Sequence, residues 1–262
     1  MAPIKRPRVS VRPTSRRSAS ANAGAGPASE TVENYLKAIL MLSDESPAGE
    51  ATVSRIAAVV GVTPGTATSM IKKLVAAGLA RSKRYGAVRL TARGSASACD
   101  VLRRHRIVEL FLVEVVGLDW SEVHAEAERL EHAISPRLLD RLDEMLGRPR
   151  VDPHGDPIPA GGAGRSREPA RGALVPLGEC AEGARVVIGR ILDQDEDFLR
   201  FIARTGLRPG TRVRIGRIDP RAGTLDLRPD GRSKLSMALS VAQRLMAEPA
   251  RQGTRISRQN II

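Results

Sequence analysis

Three of the four histidines lie between residues 105 and 132, each accompanied by carboxylates at helical spacing. His105 and Glu109 form an i, i+4 pair, and His124, Glu128, Glu131 and His132 stand at i, i+4, i+7 and i+8, so that these four project along one side of a single helix. The adjacent stripe Val123, Ala127, Leu130 and Ile134 is apolar and is expected to hold that helix on the core. One such His-Glu pair reads as a surface salt bridge. Three imidazoles and several carboxylates spread over two helices read as one or two metal sites between helices. Oxygen and imidazole donors without thiolate suit Mn(II) or Fe(II), although raw affinity rises toward Ni, Cu and Zn. Cys99 and Cys180 are the only cysteines and lack CxxC spacing, which excludes a thiolate zinc site and fits a reducing cytoplasm.

The elements around these residues carry charge of opposite sign. Of 42 Lys and Arg against 29 Asp and Glu, net charge +13, eight cations lie in residues 51 to 99 without any acid. Residues 109 to 147 reverse the balance, with ten acids against Arg129, Arg137 and Arg141. The basic block begins inside a helical pattern. Apolar positions over Thr31 to Leu42 predict a first helix with Ser29 as its cap; Val53, Ile56, Ala57 and Val60 predict a second, ended by Gly61. Thr63 and Pro64 are a cap and a first-turn proline for a third helix, with Ala67, Met70, Ile71 and Leu74 facing inward and Gly78 closing it. Leu79 to Thr91 alternates about Arg84-Tyr85-Gly86 as a hairpin.

Helix, helix, turn, helix and hairpin make a winged helix-turn-helix, the form in which the start of the third helix reads the major groove of duplex DNA. Those residues are Thr63, Pro64, Gly65, Thr66, Thr68 and Ser69, short groups without the Arg or Asn forks that discriminate bases sharply. Lys72, Lys73 and Lys83 are expected phosphate contacts, and Arg84 and Tyr85 stand at the wing tip, within reach of phosphate or the minor groove, with a solvated tip the other reading of Tyr85. With one Trp, two Tyr and three Phe, a stacking platform for single strands is excluded.

The fold expected is mainly α, with a small C-terminal β-barrel. Residues 1 to 29 read as a disordered basic arm, 30 to 93 as the winged helix-turn-helix and 94 to 147 as a helical metal-binding domain. In that domain a helix over 92 to 116 breaks at Gly117, and a second runs from near Ser121 to Gly147. Residues 148 to 173 read as a Pro/Gly-rich linker, 174 to 247 as the barrel and 248 to 262 as a tail. No apolar run approaches the roughly 18 residues that span a bilayer, and a soluble cytoplasmic protein is expected. Two further readings stay open: a regulator whose His and Glu only form ion pairs, and a metalloenzyme, for which no separate base, nucleophile or phosphate loop is visible.

ENYLKAI, the winged helix, LRRHRIVELFL, VHAEAERLEHAIS and PHGDPIP follow in order, and over residues 29 to 160 the chain resembles the diphtheria toxin repressor and manganese transport regulator family. Residues 174 to 247 resemble more weakly the Src-homology-like barrel of longer members, also seen in ferrous iron transport A proteins. The resemblance implies a homodimer joined through the central helices and a repressor of metal-homeostasis genes that binds a double-stranded operator when loaded with Mn(II) or Fe(II). It assigns His105, Glu109 and His124 to one site, and Glu128, Glu131 and His132 to the effector site. Glu128 stands where iron-type members have Cys and manganese-type members have Glu. Asn34 replaces a Met or Asp ligand, and Lys37 replaces a Glu of manganese-type members. Asp195 falls near a carboxylate ligand that the barrel supplies.

Overall fold

The computed structural model describes residues 29–83, 87–160 and 174–250. Helix α1 (Glu30–Asp44), β1 (Ala51–Thr52), α2 (Val53–Val60), α3 (Pro64–Ala76), β2 (Ala80–Ser82) and β3 (Ala87–Leu90) form the winged helix, its antiparallel sheet ordered β1-β3-β2. Thr52 and Thr63 accept the Arg55 and Thr66 amide N–H groups and so cap α2 and α3. Ser29 stands at the start of α1 without any capping bond from its side chain; its carbonyl accepts the Glu33 N–H instead. Tyr35, Leu36, Ile39, Ile56, Ala67, Ile71, Leu74 and Val88 close the core, with Met70 half-buried at its edge.

Helix α4 (Ala92–Phe111) runs on through a π-helical turn, Leu112–Val116, to Gly117 at φ 84°. The helix expected from Ser121 to Gly147 is two helices, α5 (Val123–Leu130) and α6 (Pro136–Met145). The break lies at Ser135-Pro136: proline disfavours helical geometry in the residue before it, and Ser135 is extended, with its hydroxyl accepting the Leu138 N–H. In the apolar stripe Val123 and Ala127 are buried and Ile134 packs on them, but Leu130 is exposed.

Residues 148 to 160, expected as the first half of a linker, are packed into the molecule. Val151 and Pro157 form an antiparallel bridge, and Asp152, His154, Asp156 and Ile158 are buried. Pro and Gly here build a tight turn: Asp152 Oδ1 accepts the backbone N–H of both His154 and Asp156, and Gly155 adopts φ 89°. A side chain at Gly155 would lie 2.1 Å from the Gly189 carbonyl oxygen, so only glycine admits this approach to the barrel. The rest of the expected linker, 161 to 173, lies outside the described residues, as do the N-terminal arm through residue 28 and the tail from 251.

The barrel is a six-stranded antiparallel sheet of β4 (Val175–Pro176), β5 (Arg185–Ile191), β6 (Arg212–Asp219), β7 (Thr224–Pro229), β8 (Leu235–Ala238) and β9 (Leu245–Pro249), ordered β4-β9-β5-β6-β7-β8. Helix α7 (Glu196–Thr205) joins β5 to β6, and the short α8 (Leu239–Ala242) precedes β9. Trp120, from the central domain, belongs to the barrel's core cluster. The Ile191 N–H donates to the His154 carbonyl at 2.9 Å, a second point at which the 152–156 turn meets β5.

Candidate metal centre

Helices α1, α2, α4 and α5 and the 152–156 turn line a cavity of about 300 Å³ that Gln194 of the barrel also reaches. From α4, His105 and Glu109 project one turn apart; α5 adds His124 and Glu128, and the turn just after it adds Glu131 and His132. Helix α1 contributes Glu33, Asn34 and Lys37.

Donor atoms of His105, His124 and Glu128 all lie within 4.8 Å of one another. His105 Nε2 is 2.9 Å from Glu109 Oε1 and 3.1 Å from His124 Nδ1, and His124 Nδ1 is 3.2 Å from the same Glu109 oxygen. The other face of His105 is held by Glu131, whose Oε2 is 2.6 Å from Nδ1. Burial works against a charge on His105, yet the attraction and hydrogen bond of Glu109 and the bond from Glu131 outweigh it and push the imidazole up to about 9. Burial likewise opposes ionisation of Glu109 and Glu131, but His105 holds both carboxylates below their ordinary range, aided by His124 at Glu109 and by Lys37 at Glu131.

The effector set of the resemblance is engaged by α1. Lys37 Nζ sits 2.6 Å from Glu128 Oε1 and 2.7 Å from Glu131 Oε1. His132 is 2.6 Å from Glu33 through Nδ1 and 2.9 Å from the Asn34 amide oxygen through Nε2, and it lies 3.4 Å from Glu131. Asn34 thus faces the set through its neutral oxygen. The structure does not bring Asp195 to the centre: it is exposed and caps α7, accepting the Phe198 N–H at 3.1 Å. Its neighbour Gln194 lines the cavity and hydrogen-bonds Asp156.

A second donor group was not read from the sequence. Glu109, Asp152 and His154 are buried together, with donor atoms within 4.8 Å of one another. His154 Nε2 donates to the Trp120 carbonyl at 2.9 Å, and Nδ1 faces Glu109 at 3.9 Å. Nδ1 is fully buried and has no hydrogen-bond partner among the described residues. Burial, then Asp156 and Glu109, push the Asp152 carboxyl well above its ordinary range, while Arg106 opposes them from 3.5 Å. A buried imidazole nitrogen without a hydrogen bond, set against two carboxyl groups, is a donor set that fits a divalent cation, as do the oxygen and nitrogen atoms of the first group. The signal in the sequence was Asp-x-His-x-Asp at 152 to 156, obscured by Pro153 and Gly155.

Thr63, Pro64, Gly65, Thr66, Thr68 and Ser69 are exposed along the start of α3, followed by exposed Lys72 and Lys73. Thr68 and Ser69 donate their hydroxyls to the Pro64 and Gly65 carbonyls, which turns their remaining lone pairs outward. Lys83 is paired with Glu50 at 2.8 Å, an acid that also holds Arg89 at 2.9 Å. Arg84 and Tyr85 lie outside the described residues.

Residues 28–88 match the iron dependent repressor N-terminal DNA binding domain, 91–160 match the iron dependent repressor metal binding and dimerisation domain, and 175–249 match the FeoA domain. The chain is 35% identical over 194 residues to the iron-dependent repressor IdeR of Mycobacterium leprae (strain TN), covering 71% of this chain and 84% of that one. It is 32% identical over 192 residues to the diphtheria toxin repressor of Corynebacterium efficiens, covering 71% and 83%. Among solved structures it resembles a manganese-dependent transcriptional repressor in complex with manganese, with a TM-score of 0.73 and 35% identity over 84% of this chain and all of that one. The three matched domains follow one another along the chain, and the chain belongs to the iron-dependent repressor family.

Proposed function

We propose that this chain is a metal-dependent repressor of transcription, acting in the cytoplasm as a homodimer on double-stranded operators of metal-homeostasis genes, and that it is not an enzyme. The observation that carries the reading is the junction itself: donors from α4, α5 and the 152–156 turn meet α1, the first helix of the DNA-reading domain, across one cavity. His105, Glu109, His124 and Glu128 would hold one Mn(II) or Fe(II), with Glu131, His132 and Asn34 beside it, and Glu109, Asp152 and His154 offer a further place. The divalent ion supplies positive charge that neutralises the clustered carboxylates. The residues do the rest, since α1 moves with α2 and α3, and fixing α1 on α5 fixes where the reading helix of each protomer points. The DNA-competent state is then favoured by its higher affinity for the ion.

The test is operator binding by the full chain, footprinted on genomic fragments in chelator and then with added Mn(II) or Fe(II). Specific protection is expected only with metal, and equal protection in chelator would overturn the reading. Lys72→Ala, at an exposed lysine without an ion pair among the described residues, should weaken binding to all sequences alike. It should also lower the dependence of log affinity on log salt by about one unit. Lys83→Ala should do less, because that ammonium is already held by Glu50.

Glu128 offers hard oxygen at 3.6 Å from His124 Nε2 and is the least buried of the cluster's carboxylates. Glu128→Cys should keep fold and DNA binding while shifting activation from Mn(II) toward Fe(II), Co(II) or Ni(II). Glu128→Ala should weaken activation by every metal. A Glu128→Ala protein that responds to Mn(II) at the wild-type concentration would remove Glu128 from the ligand set.

A further inference from the structure

Lys37 is a lysine buried among metal-ligand chemistry, and nothing in the mechanism above uses it. It sits on the inner face of α1 between Leu36 and Ala38, both buried, and its own exposure is 7%. Taking an ammonium out of water is costly unless anions compensate it. Here the compensation is complete and comes from one place: Glu128 and Glu131, 91 and 94 residues later in the chain, at 2.6 and 2.7 Å. Glu131 is wholly buried, and its second oxygen is spent on His105. The other groups facing this point are His105, His124, His132 and Asn34; Glu33 is turned away to Arg104 and His132. The Lys37 ammonium thus bridges Glu128, which the proposed function gives to the metal, and Glu131 beside it.

We infer that the Lys37 ammonium is a resident cation at the Glu128 and Glu131 carboxylates. It clasps α1 to the end of α5 before any metal arrives, and an incoming divalent ion must displace it or share these oxygens with it. Lys37 is then a positioning residue that sets the metal threshold, and it acts in two opposite directions. In the metal-free chain it stabilises the closed junction; toward metal it competes through like charge and occupied lone pairs. The inference rests on the proposed function only in its second half.

The experiment compares wild type with Lys37→Met and Lys37→Gln, which keep length without charge, and with Lys37→Arg, which keeps the charge. Two quantities are read on the full chain: Mn(II) affinity by calorimetric titration, and the melting temperature in chelator and in Mn(II). The neutral variants should melt lower in chelator, by roughly 5 °C or more, because the buried Glu131 loses the ammonium at its Oε1 and keeps only the imidazoles of His105 and His132 beside it. They should bind Mn(II) about tenfold or more tightly and gain more melting temperature from it than wild type does. Lys37→Arg should stay near wild type in both. If Lys37→Met is unfolded in chelator, the Gln variant and the gain on adding Mn(II) give the same comparison.

Mn(II) affinity in the neutral variants equal to or below that of wild type would overturn the inference and leave the proposed function standing. A wild type that takes up no Mn(II) while Lys37→Met does would overturn the proposed function and support the inference. No uptake by any of the proteins would overturn both.

Discussion

Glu109→Ala is expected to abolish the response of operator binding to metal and to lower the stability of the metal-free fold by about 3 to 5 kcal/mol. Glu109 is 1% exposed and belongs to both donor groups, with one oxygen shared by His105 and His124 and the other facing His154. Removing the carboxylate strands the buried imidazole of His105, which Glu109 does most to keep protonated. It also deletes an anionic donor from each group at once. The isosteric Glu109→Gln separates the two effects: packing and one hydrogen bond survive, so most of the stability returns, while the anionic donor does not. Thermal melts in chelator and operator titrations against Mn(II) measure them independently. A Gln variant with a wild-type Mn(II) response would exclude Glu109 from the metal centre.

The residues that follow helical spacing were legible in the sequence, and the long-range pairings were not. His105, Glu109, His124 and Glu128 stand on regular helices, where a period of 3.6 places side chains before any tertiary contact is known. The winged helix was readable for the same reason, helped by the Thr63-Pro64 cap. The same Ser-Pro signature at Ser135-Pro136 marks the break between α5 and α6, and a continuous apolar pattern masked it. In residues 148 to 160 composition misled: Pro and Gly build a compact turn as readily as a linker, and the choice is made by Asp152 bonding two backbone amides and by the fit of Gly155 against Gly189. Asp195 was placed one residue from Gln194, the barrel side chain that reaches the cavity, because capping and ligation draw on the same residue type. Lys37 was visible as a departure, but its partners lie more than ninety residues away and only the folded chain brings them together.

The protonation of His105 gives the centre a pH dependence with a definite sign. Its imidazole is raised from an ordinary value of 6.5 to about 9, so the stability contributed by its pairs with Glu109 and Glu131 is fully present below pH 6.5 and is lost as pH rises through about 9. Asp152 works in the same direction, since burial and then Asp156 and Glu109 hold its carboxyl well above its ordinary range and its ionisation with rising pH costs stability. Glu109 and Glu131, held low, act oppositely: their share is present above the ordinary carboxylate value of 4.5 and is lost as pH falls below it. The melting temperature in chelator is therefore expected to fall between about pH 6.5 and 9 and to fall again in acid. Metal responds the other way, because His105 must give up a proton before its nitrogen can serve as a ligand. Mn(II) affinity should rise by about tenfold per pH unit from 6.5 to 9, for one proton released per ion, and level off above that range. Melts in chelator and Mn(II) titrations across this range are the measurement. A metal-free melting temperature that climbs from pH 6.5 to 9, or an Mn(II) affinity flat over the same interval, would show that His105 is neutral in the folded chain and that Glu109 and Glu131 are balanced by Lys37 and His124 instead.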